Sequence, residues 1–249
     1  MSRWVLKGLQ TGIVTTRYPG GEEGAPGISP GIPQDMVCSG SHAEALALRC
    51  PTAALQREKD QISVLRERCV HCYRCARGIT KPIQWERGFE WARIRSDAAV
   101  FPKAFQQSLH IRVIDAGDCG ACLHEVKLMN NPFYNMHRLG FFITPTPRKA
   151  DILLVVGPVT DHMKRAMLKA YEAMPEPRRV MAVGACALSG GVFGPGFVTG
   201  SGVGDVLSVD LVIPGCPPPP LAILHGLLTI TGRKMALQDD KPAVPGGGT

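Results

Sequence analysis

The number and spacing of its cysteines constrain this chain more than any other feature. Nine occur in 249 residues: Cys38, Cys50, Cys69, Cys72 and Cys75, then Cys119, Cys122, Cys186 and Cys216. The N-terminus shows neither a twin-arginine motif nor an apolar signal core with a cleavage site, so the chain reads as one that is not exported. Away from an oxidising compartment, thiols make poor disulfides and are better read as metal or cluster ligands. No apolar run reaches the ~18–20 residues of a membrane span. The nearest, Leu211–Ile230, is interrupted by Cys216 and Pro217–Pro220. A hydrophobic share of 45% excludes a disordered chain.

The two cysteine groups lie in segments of different character. Ile111–Asp115, Ile152–Val156, Val180–Val183 and Leu211–Ile213 are short, apolar and rich in β-branched residues, as buried parallel strands are. Helix-like stretches alternate with them, clearest at Asp161–Met174, where Met163, Ala166, Met167, Ala170 and Met174 recur at helical spacing as a core-facing stripe. This alternation predicts an α/β fold, a flavodoxin-like doubly wound parallel sheet, preceded by a small irregular segment. Four segments are expected: 1–34, an amphipathic helix and extended docking arm; 35–105, a single-cluster domain; 106–235, the α/β domain; 236–249, a disordered tail. Within the arm, Trp4–Thr16 puts Val5, Leu6, Leu9 and Ile13 on one helical face, suited to a membrane surface, a partner or ordinary surface packing.

In the first group, Cys69-Val70-His71-Cys72-Tyr73-Arg74-Cys75 has the C-x2-C-x2-C spacing of a ferredoxin run, and Cys50-Pro51 matches the end of a second run. In two-cluster bacterial ferredoxins the fourth Cys of each run ligates the other run's cluster. In that register the missing ligands fall at Gly40, Ala43, Leu46 and Ile79, all serving one cluster, while Cys50, Cys69, Cys72 and Cys75 all serve the other. The segment resembles a two-cluster ferredoxin that has kept one 4Fe–4S cluster; a thiolate quartet also binds zinc, which stays the rival reading. Cys38 lies outside the register and reads as a spare thiol. His71, between two ligands, either tunes the cluster or faces solvent.

In the second group every cysteine follows a strand: Cys119 and Cys122 follow IRVID, Cys186 follows VMAV and Cys216 follows LVI. Ligand sites of open α/β sheets lie beyond the carboxyl ends of the strands, so one crevice would gather four thiolates. The C-x2-C run with ADILLVVGPVT (Ala150–Thr160), GACALSGGVF (Gly184–Phe193) and GCPPPP (Gly215–Pro220) resembles the small subunit of nickel–iron hydrogenases and its relative, the cluster N2 subunit of respiratory complex I. That resemblance, covering Ile111–Leu228, implies that Cys119, Cys122, Cys186 and Cys216 bind the proximal 4Fe–4S cluster beside a large subunit's active site.

Complex I relatives carry adjacent cysteines at the first position, whereas this chain has C-x2-C, as hydrogenases do. The chain also stops soon after Cys216, without the further cysteine-rich segment and export signal of uptake-type small subunits. What remains is similar to the membrane-bound, energy-converting group that includes formate hydrogenlyase. KGLQTGIVTTRYP (Lys7–Pro19) resembles the start of the ferredoxin-like subunits of the same complexes, so the chain looks like two neighbouring subunits fused. The implied cofactors are two 4Fe–4S clusters. The implied partners are a large nickel–iron subunit, other ferredoxin-like subunits and membrane ion-translocating subunits, with peripheral attachment to the cytoplasmic side of the cell membrane. A nickel-free, complex I-like quinone- or carrier-linked oxidoreductase would look the same at this level; a zinc-binding interaction module is the other alternative.

Other functions find less support. Gly190–Gly204 is glycine-rich, but has no G-x-G-x-x-G after a strand and no P-loop lysine, which argues against a nucleotide site. The net charge is +7, of which residues 1–112 carry +6. Two oxidised clusters at a net ~−2 each bring the total to about +3. The basic residues are scattered without a recognition motif, so nucleic acid is not the expected partner, and docking to subunits or an anionic membrane fits better. No catalytic residue is expected. His124 and Glu125 are weak proton-path residues or form a salt bridge or an interface hydrogen bond, and His137 and Arg138 are contacts to the large subunit.

Overall fold

The computed structural model describes residues 3–21, 23–24, 27–95 and 100–235; the tail expected at 236–249 lies outside them. Five parallel strands form the main sheet: β7 (Leu109–Asp115), β8 (Phe141–Ile143), β9 (Ile152–Val156), β10 (Arg179–Val183) and β11 (Leu211–Ile213). Their order is β8-β7-β9-β10-β11, and β6 (Arg93–Ile94) is added antiparallel on β11. Among the five, this is the 2-1-3-4-5 order of a flavodoxin-like sheet, which has its switch point between the first and third strands, here β7 and β9. The expected doubly wound sheet is the one observed.

Burial on both faces explains why these strands are apolar throughout. Along β9, Ile152, Leu154 and Val156 enter the core on one face with Val126 of helix α3 (Ala121–Leu128) and most of α6 (Pro220–Ile230). Leu153 and Val155 enter the opposite core with Met167 of α4 (Asp161–Glu172) and Ala187 of α5 (Ala185–Ser189). This is the two-residue alternation of a strand, with apolar partners on both sides. All eleven residues of α6 are buried, as a helix apolar on every side requires. The α4 seam is narrower than its sequence suggested. Met163, Met167, Ala170 and Met174 face the core, but Ala166 is exposed and the helix ends at Glu172.

The first half adds two small sheets. One pairs β1 (Ile32–Pro33) with β5 (Trp85–Glu86); the other orders β2 (Met36–Val37), β4 (Gln61–Val64) and β3 (Leu55–Glu58) as β2-β4-β3, backed by helix α2 (Gly40–Arg49). Ala43, Leu46, Leu55, Ile62, Val64 and Ile83 form its own small core. Tyr18, Ile32, Phe89, Trp91 and Ala92, also from the first half, join the large core with α6. The Trp91 indole donates to the Pro214 carbonyl at 2.9 Å, and the Arg138 guanidinium donates to the Tyr18 carbonyl.

The N-terminal helix α1 is Arg3–Thr11, shorter than the expected Trp4–Thr16, because Gly12 turns into the left-handed region at φ 67°. It buries none of its residues, and Trp4 is 77% and Leu9 74% exposed. Among the described residues no helix is long and apolar enough to cross a membrane.

Candidate metal centres

The fold brings the eight paired cysteines together as two quartets. In the first, Cys69 is buried next to Cys50, Cys72 and Cys75, and burial pushes its thiol up to about 12. Cys50 is held at the end of α2, Cys69 follows the 3-10 turn Arg66–Arg68, and Cys72 and Cys75 sit on the turns that come next. Ala53, His71 and Tyr73 adopt positive φ of 50–57°, which tightens the chain around the sulfurs. The Ala54 N–H donates to the Cys50 sulfur at 3.2 Å, and the backbone N–H of His71 points at the Cys69 sulfur. Such N–H groups favour thiolates and help set a cluster's potential.

Three buried polar atoms here have no partner: both ring nitrogens of His71 and the indole Nε1 of Trp85. Trp85 stacks on Tyr73 at 4.3 Å and lies edge-on to His71 at 5.6 Å. Its N–H favours the thiolate of Cys75, without reaching full hydrogen-bond geometry. Burial pushes His71 down to about 4, leaving a neutral imidazole. Orphaned donors around four thiols fit a group that brings its own acceptors, as the sulfides of an iron–sulfur cluster do. Spacing gave no pointer to Trp85, ten residues beyond Cys75; the β1–β5 pairing puts it there.

The positions of the absent ligands are also accounted for. Ala43 and Leu46 are fully buried in the small core, and Ile79 and Cys38 pack against it. At three of the four positions where the ferredoxin register would place a second set of ligands the chain has apolar packing; the fourth, Gly40, starts α2 beside Arg57 and Asp60. Cys38 packs against that core, as Cys50 and Cys75 do.

The second quartet lies at the carboxyl ends of β7, β10 and β11, as expected for this sheet. Cys119 is exposed before α3 and Cys122 is buried in its first turn; Cys186 is in α5 and Cys216 follows β11. Burial pushes Cys122 up most, and Cys216, Cys186 and Cys119 add to it. Cys186 rises to about 11 by burial, with the charges of Cys216, Cys119 and Asp118 adding to it. The Asp118 carboxylate accepts the N–H groups of Gly120 and Leu123, both at 3.0 Å, and so fixes the turn that carries the C-x2-C pair. Two glycines leave room at the sulfurs. A Cβ at Gly184 (φ +93°) would overlap the Cys122 sulfur, and one at Gly191 would lie 2.6 Å from that of Cys186.

Neither quartet closes on a single ion. Among the described residues no three His, Cys, Asp or Glu side chains converge closely enough to hold one metal ion. Four sulfurs on a zinc at ~2.3 Å would sit only about 3.8 Å from one another. The orphaned donors beside Cys50, Cys69, Cys72 and Cys75, and not the spacing of the thiols, favour a cluster over zinc there.

The remaining residues singled out in the sequence are not gathered at either quartet. His124 is exposed; Glu125 is half-buried, its carboxyl pushed up by burial, and it forms no ion pair among the described residues. His137 stacks on Phe142 at 5.2 Å. Arg138 is exposed and also bonds the Tyr18 carbonyl in the N-terminal arm.

Comparison with known proteins adds three relatives and one family. Residues 119–230 match the family model described as NADH ubiquinone oxidoreductase, 20 Kd subunit. An uncharacterized protein of Methanocaldococcus jannaschii is 41% identical over 136 residues, 55% of this chain and 91% of that one. The probable membrane-bound hydrogenase subunit mbhJ of Pyrococcus furiosus is 37% identical over 56% of this chain and 83% of its own length. Formate hydrogenlyase subunit 7 of Escherichia coli is 35% identical over 64% of this chain, which spans 60% of that relative's length.

Proposed function

This chain belongs to the NADH ubiquinone oxidoreductase 20 Kd subunit family, a family of oxidoreductase subunits, and from that premise we propose that it is the iron–sulfur electron-transfer subunit of a multisubunit, membrane-bound hydrogenase. It has no complete active site of its own. A 4Fe–4S cluster, when bound, accepts and releases single electrons at nearly fixed geometry. Cys50, Cys69, Cys72 and Cys75 would hold one cluster, within residues 35–105. Cys119, Cys122, Cys186 and Cys216 would hold the proximal one, within residues 106–235.

The observation that carries this reading is that the elements bearing the two cysteine groups pack directly on one another. Helix α5, which carries Cys186, packs on the 3-10 turn just before Cys69, and the Ser189 hydroxyl donates to the Glu67 carbonyl at 3.1 Å. Electrons would pass between a ferredoxin-like donor or acceptor at the first quartet and the nickel–iron site of a large subunit beside the second. Hydrogen oxidation or proton reduction would then be coupled to ion translocation by membrane subunits. The described residues include no membrane-spanning helix, so peripheral attachment on the cytoplasmic side would come through those partners, with the arm 1–34 contributing.

Iron and acid-labile sulfide analysis of the anaerobically reconstituted chain tests this. About eight of each per chain supports two clusters; stoichiometric zinc with little iron overturns the electron-transfer reading. Nickel in the purified complex separates the hydrogenase from the nickel-free, complex I-like form.

A further inference from the structure

We infer that the basic rim around Cys72 is the docking surface for a small acidic electron-carrier protein, an inference that rests on the electron-transfer reading above. From Arg68 to Trp85 the chain holds four cations, Arg68, Arg74, Arg77 and Lys81, and no Asp or Glu. All four are exposed, and so is Cys72, whereas Cys69 on the inner side of the quartet is buried.

Tertiary contacts hold this charge at the quartet. The Thr52 hydroxyl, two residues from Cys50, donates to the Arg68 carbonyl at 2.6 Å. The Arg77 guanidinium lies 5.4 Å over the ring of Tyr73, the neighbour of Cys72. Arg49 joins them by donating to the Arg77 carbonyl at 3.1 Å, and a His42 ring nitrogen bonds the Lys81 carbonyl at 2.9 Å.

The carboxylates nearest in sequence are engaged elsewhere. Glu44 pairs with Arg57 at 3.4 Å, Glu67 pairs with Arg95 at 2.6 Å, and Glu86 accepts from Gln34 at 2.6 Å. Among the described residues, none of Arg49, Arg68, Arg74, Arg77 and Lys81 forms an ion pair. Exposed cations that repel one another without counter-charges do little for stability, but create a field that steers an anionic partner.

The same surface fits a protein better than a membrane. Segment 68–85 exposes no large apolar side chain, whereas a membrane-surface element needs an apolar face to insert. Cys72, the exposed cysteine of the first quartet and a member of this cationic segment, is the point a diffusing carrier would approach. The transfer moves one electron from the reduced carrier, which is oxidised, to the chain, which is reduced; no bond forms or breaks.

The test is stopped-flow reduction of the reconstituted full chain by a reduced acidic bacterial ferredoxin, with the cationic methyl viologen radical as control. The second-order rate constant for ferredoxin is expected to fall at least ~10-fold between low and ~0.5 M salt. The Arg77→Glu/Lys81→Glu variant should lower it by about 10-fold at low salt, and the corresponding Gln variant by less. Neither variant should slow methyl viologen or lose the EPR signal of the first centre. Ferredoxin rates indifferent to salt and to both variants overturn the surface, and so does charge-dependent binding to phosphatidylglycerol vesicles without any effect on ferredoxin. A wild-type chain with no cluster signal from the first quartet removes the electron-transfer reading, and the surface with it.

Discussion

The Ser189 hydroxyl donates to the Glu67 carbonyl at 3.1 Å, and this bond ties the turn before Cys69 to the helix that carries Cys186. Glu67 stands two residues before Cys69, and Ser189 is three residues after Cys186 on α5. With ~3.6 Å per extended residue and 1.5 Å of helical rise, the α-carbons of Cys69 and Cys186 are at most about 20 Å apart. Cys72 is exposed and Cys69 buried, and the turn just before Cys69 is the one packed on α5.

Ser189→Ala should loosen this seam without emptying either centre. Ser189 also donates to the Ala185 carbonyl at 3.0 Å, so the substitution deletes one hydroxyl shared by two acceptors. A loss of about 0.5–1.5 kcal/mol is expected in urea unfolding, with iron content unchanged. Loss of iron would mean that the seam builds a quartet and does not just join two.

Gly184→Ala should abolish the second centre while sparing the first. The added Cβ collides with the Cys122 sulfur, and φ of +93° is strained for any other residue. Iron content should fall by about half, with the first EPR signal retained. Full iron loading would show that the turn relaxes and that the close approach at Gly184 is unnecessary.

Leu46→Ala should destabilise the first half by about 2–5 kcal/mol, because the side chain is fully buried at the centre of the small core. Leu46→Met should cost less than about 1.5 kcal/mol. Thermal unfolding of the metal-free chain measures both. Equal costs would mean that this core is looser than its burial indicates.

The metal-free chain should lose stability in alkali. Cys69 and Cys186 have thiols raised in the folded state, to about 12 and about 11, against ~8.5 unfolded. Their protonated forms are stabilising in full below the unfolded value, and that contribution is lost as pH rises through the folded values. The midpoint of urea unfolding should therefore decline from pH 8 to pH 10 in the metal-free chain. Metal-bound thiolates have no proton to lose, so the loaded chain should decline less. A flat metal-free profile would contradict the buried placement of these thiols.

The α/β domain was legible because its strands are continuous apolar runs: Ile152–Val156 and Leu211–Ile213 fall at the positions read from the sequence. β8 escaped notice because Phe141–Ile143 is an edge strand with only Phe141 buried, too short for a period. Ligand spacing pointed to both quartets, and the ferredoxin register even located the positions that became core, Ala43 and Leu46. Trp85 and the Ser189–Glu67 bond were not legible. Their roles come from tertiary pairing, between β1 and β5 and between α5 and the turn before Cys69, and no local pattern records that. The bond from Arg138 to Tyr18, 120 residues away in sequence, was not legible for the same reason.

The central claim, two separable iron–sulfur centres in one chain, is tested most directly by EPR of reduced, reconstituted Cys72→Ala and Cys186→Ala beside the wild-type chain. Cys72→Ala should remove or convert one signal and leave the other, Cys186→Ala should do the reverse, and Cys38→Ala should leave both. Loss of the same signal in both quartet variants, or no cluster signal from the wild-type chain, would contradict it.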